Sequence, residues 1–148
     1  DQQRERLMIV TTTGMIADAV KNVTGDAADV ISLMGAGVDP HLYKATQGDL
    51  QKLTDADIIF YNGLHLEGKM AEVLEKLGRT KTVIPVTQSI PEDELRLITE
   101  GIHDPHIWFD VKLWKNAVTA VEKTLLEVDS AKQQIYQVNA ARYLMQLD

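Results

Sequence analysis

Short apolar runs alternate with amphipathic stretches along the chain. Four of these runs are rich in β-branched residues and are bounded by polar or turn-forming residues, which is typical of strands. They are residues 6–12, 29–34, 57–61 and 82–87. Because the runs are almost continuously apolar and do not alternate strictly with polar residues, they predict a parallel sheet that is covered on both faces.

The stretches between the predicted strands carry apolar residues at helical spacing. Thr13 is placed to cap a first helix that ends at Gly25. Thr46 and Asp49 have the spacing of a capping box for a second helix. A third helix is predicted to end at Gly78. The apolar positions of the three helices are Met15, Ile16, Ala19, Val20 and Val23, then Leu50 and Leu53, then Met70, Val73, Leu74 and Leu77.

Two more helical patterns complete the chain. Asp110 is predicted to cap a long helix whose apolar residues are Val111, Trp114, Val118, Val121 and Leu125. From Ser130 a further helical pattern carries one apolar stripe, made of Ile135, Val138, Ala141 and Met145. No stop signal precedes Asp148, so we expect the chain to be truncated within this helix. The predicted fold class is α/β, with a four-stranded parallel sheet and helices on both faces.

Composition limits the classes of function. A chain of 148 residues that is 45% hydrophobic can form a single domain with a substantial core. The formal net charge of -7 argues against a nucleic-acid partner, which would normally meet a basic surface. The absence of cysteine excludes thiolate metal sites, iron–sulfur clusters, disulfides and thiol nucleophiles. Any bound metal must therefore have nitrogen and oxygen ligands.

The tripeptide Asp-Pro-His occurs twice, ending at His41 and at His106. Neutral imidazole is a common ligand of first-row divalent metals, and the preceding proline presents it from a stiff backbone. The alternative is simple turn chemistry with an incidental histidine. The repetition after predicted strands favours metal binding. Because ligands of parallel sheets bind at the carboxyl ends of the strands, the two imidazoles are expected to face one another.

Three runs resemble the TroA-like family, the metal-binding solute-binding proteins of zinc, manganese and iron ABC importers. They are residues 37–43 (GVDPHLY), 56–67 (ADIIFYNGLHLE) and 104–110 (DPHIWFD), and they occur in the order of the family. The resemblance implies two lobes joined by a long rigid helix, with one metal ion between them. It makes residues 1–129 the amino-terminal metal-binding lobe and residues 130–148 the start of the linking helix, with the carboxy-terminal lobe absent.

The resemblance also implies a ligand set. His41 and His106 would be the amino-terminal ligands, while a histidine or glutamate and an aspartate would come from the other lobe. His65, Asp39 and Asp104 are expected to support the ligands or to pack beside them without binding the ion. We expect His103 to be exposed to solvent. Zinc-specific members of the family often carry a long histidine-rich loop near residues 101–103, and this chain has no such tract there. The resemblance therefore favours manganese or mixed zinc and manganese use, with Mn²⁺ or Zn²⁺ as the transported ligand.

We therefore expect a carrier and not an enzyme, which captures manganese, zinc or iron for an ABC import permease. Its location would be extracytoplasmic, either periplasmic or lipid-anchored, with the targeting segment absent from this chain. The surface left by the missing lobe would favour a dimer. Two alternatives remain open. One is a zinc-dependent hydrolase that also uses a carboxylate such as Asp104, although no H-E-x-x-H motif is present. The other is a structural or interaction domain that binds no metal.

Overall fold

The computed structural model describes residues 7–34, 43–63, 70–87 and 111–147. Its strands are β1 (Leu7–Thr11), β2 (Ala28–Ser32), β3 (Ile58–Tyr61) and β4 (Thr82–Pro85). Its helices are α1 (Gly14–Thr24), α2 (Gln47–Asp55), α3 (Ala71–Leu77), α4 (Val111–Val128) and α5 (Gln133–Leu147). Each predicted strand and helix is confirmed, with small shifts at the ends. The predicted cap at Asp110 lies outside the described residues.

The four strands form one parallel sheet in the order β2-β1-β3-β4. In the centre of the sheet, Ile9 of β1 lies opposite Val30 on one side and Ile58 on the other. The chain first moves outward from β1 to β2 and then continues on the opposite side with β3. The direction of the strand order therefore reverses between β1 and β3, and in such sheets ligands bind outside the carboxyl ends of the strands at this reversal.

Both faces of the sheet are buried, which explains the continuous apolar strands. Successive side chains of a strand point to opposite faces. Ile9 and Phe60 belong to a cluster shared with α1, α4 and α5, whereas Val10 and Ile59 belong to a second cluster shared with α2 and α3. All four of these side chains are fully buried. The prediction of helices on both faces is confirmed.

The predicted helix ends are also confirmed. The amide of Ile16 donates a hydrogen bond to Thr13 Oγ1 at 3.4 Å, so Thr13 caps α1. Helix α1 ends at Gly25, whose φ of 56° favours glycine. The capping box of α2 is complete, since Thr46 and Asp49 each accept a hydrogen bond from the amide of the other. Local sequence alone therefore fixes the start of these helices.

Helix α5 packs against α1 and α4 through Tyr136 and Ala140, which are fully buried. Asn139 Nδ2 also donates to the carbonyl oxygen of Val23 at 2.9 Å, near the end of α1. The opposite side of α5 carries the predicted apolar stripe, where Ile135, Val138 and Met145 are 45%, 52% and 74% exposed. The division of the chain at residue 129 stays a prediction. None of the described helices has both the length and the hydropathy needed to cross a membrane.

Candidate metal centre

The predicted metal ligands and supporting residues lie outside the described part of the chain: His41, His106, His65, Asp39 and Asp104. They fall in three segments, 35–42, 64–69 and 88–110, which follow β2, β3 and β4 in the sequence. These segments contain all four histidines of the chain, including His103. Within the described ranges, no group of three or more histidine, aspartate or glutamate side chains is arranged to hold a metal ion. The two-histidine site therefore stays a prediction. The structure describes the strand ends that precede the segments of this site.

The ends of β1, β2 and β3 are joined by backbone hydrogen bonds. The amide of Thr12 donates to the carbonyl oxygen of Phe60 at 3.2 Å. On the other side, the amides of Leu33 and Met34 donate to the carbonyl oxygens of Thr11 and Thr12 at 2.9 and 3.0 Å. These bonds continue the sheet beyond its last ladder pair, so the segment that carries His41 begins from a fixed strand end.

The ends of β3 and β4 are joined by a buried side-chain hydrogen bond. Thr87 Oγ1 donates to the carbonyl oxygen of Asn62 at 2.8 Å, and Asn62 Nδ2 donates to that of Gly63 at 2.9 Å. Gly63 has a φ of 84°, and a Cβ added there would lie 2.6 Å from Thr87 Oγ1. Only glycine fits this close approach. These contacts therefore fix two neighbouring strand ends where the chain enters the segments of His65 and His106.

The hydrogen bond between Tyr43 and Asp49 forms an anchor where the chain returns after His41. Tyr43, which is separated from His41 only by Leu42, donates a hydrogen bond from its hydroxyl to Asp49 Oδ2 at 2.5 Å. The same carboxylate oxygen accepts the amide of Thr46 at 3.0 Å. The Tyr43 hydroxyl also lies 3.5 Å from the carbonyl oxygen of Leu33, just after β2. This anchor connects the start of α2 to the end of β2.

The electrostatics of this anchor favour a protonated phenol beside an ionised carboxylate. The hydrogen bond to Asp49 raises the pKa of Tyr43, and burial and the negative charge of Asp49 act in the same direction. Burial acts to raise the pKa of Asp49, but hydrogen bonds from Tyr43 and Thr46, together with the charge of Lys52, outweigh it and lower that pKa. A hydrogen bond to an ionised carboxylate is stronger than one between neutral groups.

Sequence reasoning identified Asp49 only as part of a capping box and gave Tyr43 no role. The available signal was a tyrosine six residues before a capping-box carboxylate. Spacing alone does not reveal that the two side chains meet, because residues 43–46 precede the helix and have no periodic geometry. The hydrogen bond from Thr87 to Asn62 was missed for a similar reason, since it depends on which strand ends are neighbours.

The strand order and the helices on both faces define an open α/β domain, a class in which ligands bind at the carboxyl edge of the sheet. The family model described as zinc-uptake complex component A (ZnuA), periplasmic, matches residues 9–148. The chain belongs to this family. The predicted resemblance to TroA-like proteins is confirmed by the relatives that the chain matches.

The zinc-binding protein TroA of Treponema pallidum (strain Nichols) is 48% identical to the chain over 141 residues, which are 95% of the chain and 46% of TroA. The manganese-binding lipoprotein MntA of Bacillus subtilis (strain 168) is 45% identical over 140 residues, which are 94% of the chain and 46% of MntA. The manganese ABC transporter substrate-binding lipoprotein PsaA of Streptococcus anginosus is 31% identical, with coverage of 97% of the chain and 49% of PsaA. The chain spans about half the length of these curated relatives.

Solved structures confirm the predicted fold class. The periplasmic zinc-binding protein TroA from Treponema pallidum superimposes with a TM-score of 0.91 at 47% identity, covering 97% of the chain and 52% of the TroA structure. A manganese-bound periplasmic metal-binding protein from Candidatus Liberibacter asiaticus gives a TM-score of 0.82 at 27% identity, covering 95% and 53%. The sheet and helices match one lobe of the TroA-like proteins. The ions named for these relatives are zinc and manganese, the two that the sequence predicted.

Proposed function

We propose that the chain is the amino-terminal, metal-binding half of a carrier that captures Mn²⁺ or Zn²⁺, with iron as a further ion. His41 and His106 supply its imidazole ligands in this proposal, while His65, Asp39 and Asp104 support them. One observation carries the proposal: a chain of the ZnuA family has all its histidines in segments that follow the strands of a single parallel sheet. Imidazole nitrogen suits zinc, and added carboxylate oxygen suits manganese.

The cellular role in this proposal is transport. The relatives are named as metal-binding proteins, and PsaA is named as the substrate-binding lipoprotein of an ABC transporter. We infer that the chain is not an enzyme and that its carrier delivers the ion to a membrane permease. The periplasmic and lipoprotein descriptions of the family and its relatives support an extracytoplasmic location, either free or lipid-anchored.

The proposal also assigns the two parts of the chain to different parts of the carrier. Residues 1–129 form the metal-binding lobe, and residues 130–148 begin the helix that leads to a second lobe, which supplies the other ligands. Two imidazoles leave most of the coordination positions of a divalent ion to water or to a neighbouring molecule. The 148-residue chain is therefore expected to bind metal weakly by itself.

Equilibrium dialysis with Zn²⁺ and Mn²⁺ tests the proposed ligands. We expect His41→Ala and His106→Ala each to weaken zinc binding by about tenfold or more, because even the loss of a supporting partner costs that much. His103→Ala is the matched control and is expected to bind as the unsubstituted chain does. Equal binding by the chain and both ligand variants would contradict the proposal and favour an interaction domain. Metal-dependent hydrolysis of an ester, amide or phosphoester would favour the hydrolase.

Self-association of the chain stays a prediction. The exposed stripe of α5, formed by Ile135, Val138 and Met145, supports it because a second copy could cover the same apolar surface. Light scattering over a range of protein concentrations should then give a mass that rises toward that of a dimer, and Val138→Lys should suppress the rise. A constant monomer mass would contradict the prediction.

A further inference from the structure

We propose that Tyr43 and Asp49 are a positioning pair for metal capture: their hydrogen bond fixes the chain two residues after His41 and thereby strengthens divalent-metal binding. This inference rests on the proposed function, since it requires His41 to be a ligand. It adds a role for two side chains that contact each other and do not contact the ion.

The residues on either side of the segment that carries His41, Met34 and Tyr43, both lie near the end of β2. Before the segment, Met34 is buried and its amide donates to the carbonyl oxygen of Thr12 at 3.0 Å. After the segment, the hydroxyl of Tyr43 lies 3.5 Å from the carbonyl oxygen of Leu33 and 2.5 Å from Asp49 Oδ2. The chain therefore leaves and returns at neighbouring fixed points.

Asp49 is a rigid acceptor. It is only 6% exposed, and its Oδ2 also accepts the backbone amide of Thr46 at 3.0 Å. It lies in the first turn of α2, where the helix dipole favours a negative charge. Helix α2 is held on the sheet by Leu53, which is fully buried in the second core cluster. The hydroxyl of Tyr43 is thus bound to the body of the domain through a packed helix.

The hydroxyl of Tyr43 is not needed for the capping role of Asp49 or for the core packing of the Tyr43 ring. The capping box of α2 is complete with Thr46 and Asp49 alone. The ring of Tyr43 packs against the second core cluster, which phenylalanine would also do. What the hydroxyl adds is a fixed chain position two residues after His41, while Pro40 restricts the backbone immediately before His41. A ligand held in place before binding loses less conformational entropy when the metal arrives.

Metal titrations of the chain and Tyr43→Phe test the inference, with Zn²⁺ measured by calorimetry and Co²⁺ by its visible absorption spectrum. We expect about tenfold weaker binding in Tyr43→Phe, at the lower end of the effect of losing a supporting partner. The Co²⁺ bands should change in position or intensity, because the spectrum reports ligand geometry at the ion. Tyr143→Phe is the matched control, since it removes a tyrosine hydroxyl that meets Trp114 Nε1 at 3.4 Å, away from this anchor.

Thr46→Ala separates positioning from the general stability of α2. It removes the oxygen that accepts the amide of Asp49 but leaves the hydrogen bond between Tyr43 and Asp49. We expect its zinc affinity and Co²⁺ spectrum to match those of the unsubstituted chain. Equal weakening by Thr46→Ala and Tyr43→Phe would overturn the inference, as would unchanged binding in Tyr43→Phe. Equal binding by the chain and His41→Ala would instead overturn the proposed function, and the inference with it.

Discussion

Tyr136 places a polar atom inside the larger of the two apolar clusters. Its side chain is fully buried, and its hydroxyl donates to Asp129 Oδ2 at 2.6 Å. Lys132 Nζ lies 4.0 Å from the same carboxylate oxygen. Burial is the main cause that raises the pKa of Tyr136 well above its ordinary value, and the hydrogen bond and charge of Asp129 add to it. A buried hydroxyl is compatible with the core here because its hydrogen bond is made.

Tyr136→Phe should lower the free energy of unfolding by about 1.5 to 3 kcal/mol at neutral pH, the usual range for a hydrogen bond to a charged group. The raised pKa means that the folded state holds the phenolic proton more tightly than the unfolded state does. Its contribution to stability is therefore complete below about pH 10 and decreases as the pH rises further. Urea denaturation at neutral and alkaline pH measures both effects, and the alkaline decrease should be smaller in the variant.

Tyr143→Phe serves as the control for this substitution, since the Tyr143 hydroxyl is only partly buried and its contact with Trp114 is long at 3.4 Å. We expect a smaller loss of stability from it. If Tyr136→Phe were as stable as the unsubstituted chain and kept the same alkaline decrease, the hydrogen bond to Asp129 would contribute nothing and this account of the core would be wrong.

At the scale of elements, local and long-range features differ in how far sequence could predict them. The caps at Thr13 and Thr46 and the stop at Gly25 were predictable because each depends on residues within one helical turn. The continuous apolar strands were predictable from burial on both faces. The hydrogen bond from Thr87 to Asn62 was not predictable, because it depends on β3 and β4 being neighbours in the sheet.

The close approach of Gly63 to Thr87 gives a prediction for the neighbouring ends of β3 and β4. Gly63→Ala should destabilise the chain by about 1 to 3 kcal/mol, because φ is 84° and the new Cβ would meet Thr87 Oγ1 and the side chain of Pro85. Gly14→Ala is the matched control: no atom lies within 4 Å of its added Cβ, and alanine favours a helix. Thermal unfolding compares the two variants. Equal stability of both would contradict the constraint at Gly63.

For the whole molecule, the fold could be predicted more completely than the metal site. The repeated Asp-Pro-His and the parallel sheet predicted that His41 and His106 follow strands at one edge, and the strands that precede their segments are confirmed there. The separation of the two imidazoles could not be predicted, since it depends on segments 35–42 and 88–110 and not on strand order. The anchors at Tyr43 and Thr87 restrict where these segments start or end.

The most direct measurement is the position of zinc in crystals of the metal-loaded chain, located by anomalous scattering at the zinc absorption edge. We predict one ion bound to imidazole nitrogens of both His41 and His106 at about 2.0 to 2.1 Å, with its remaining positions filled by water or by a neighbouring molecule. An ion bound away from both imidazoles, or rings too far apart for one ion to bridge, would contradict it.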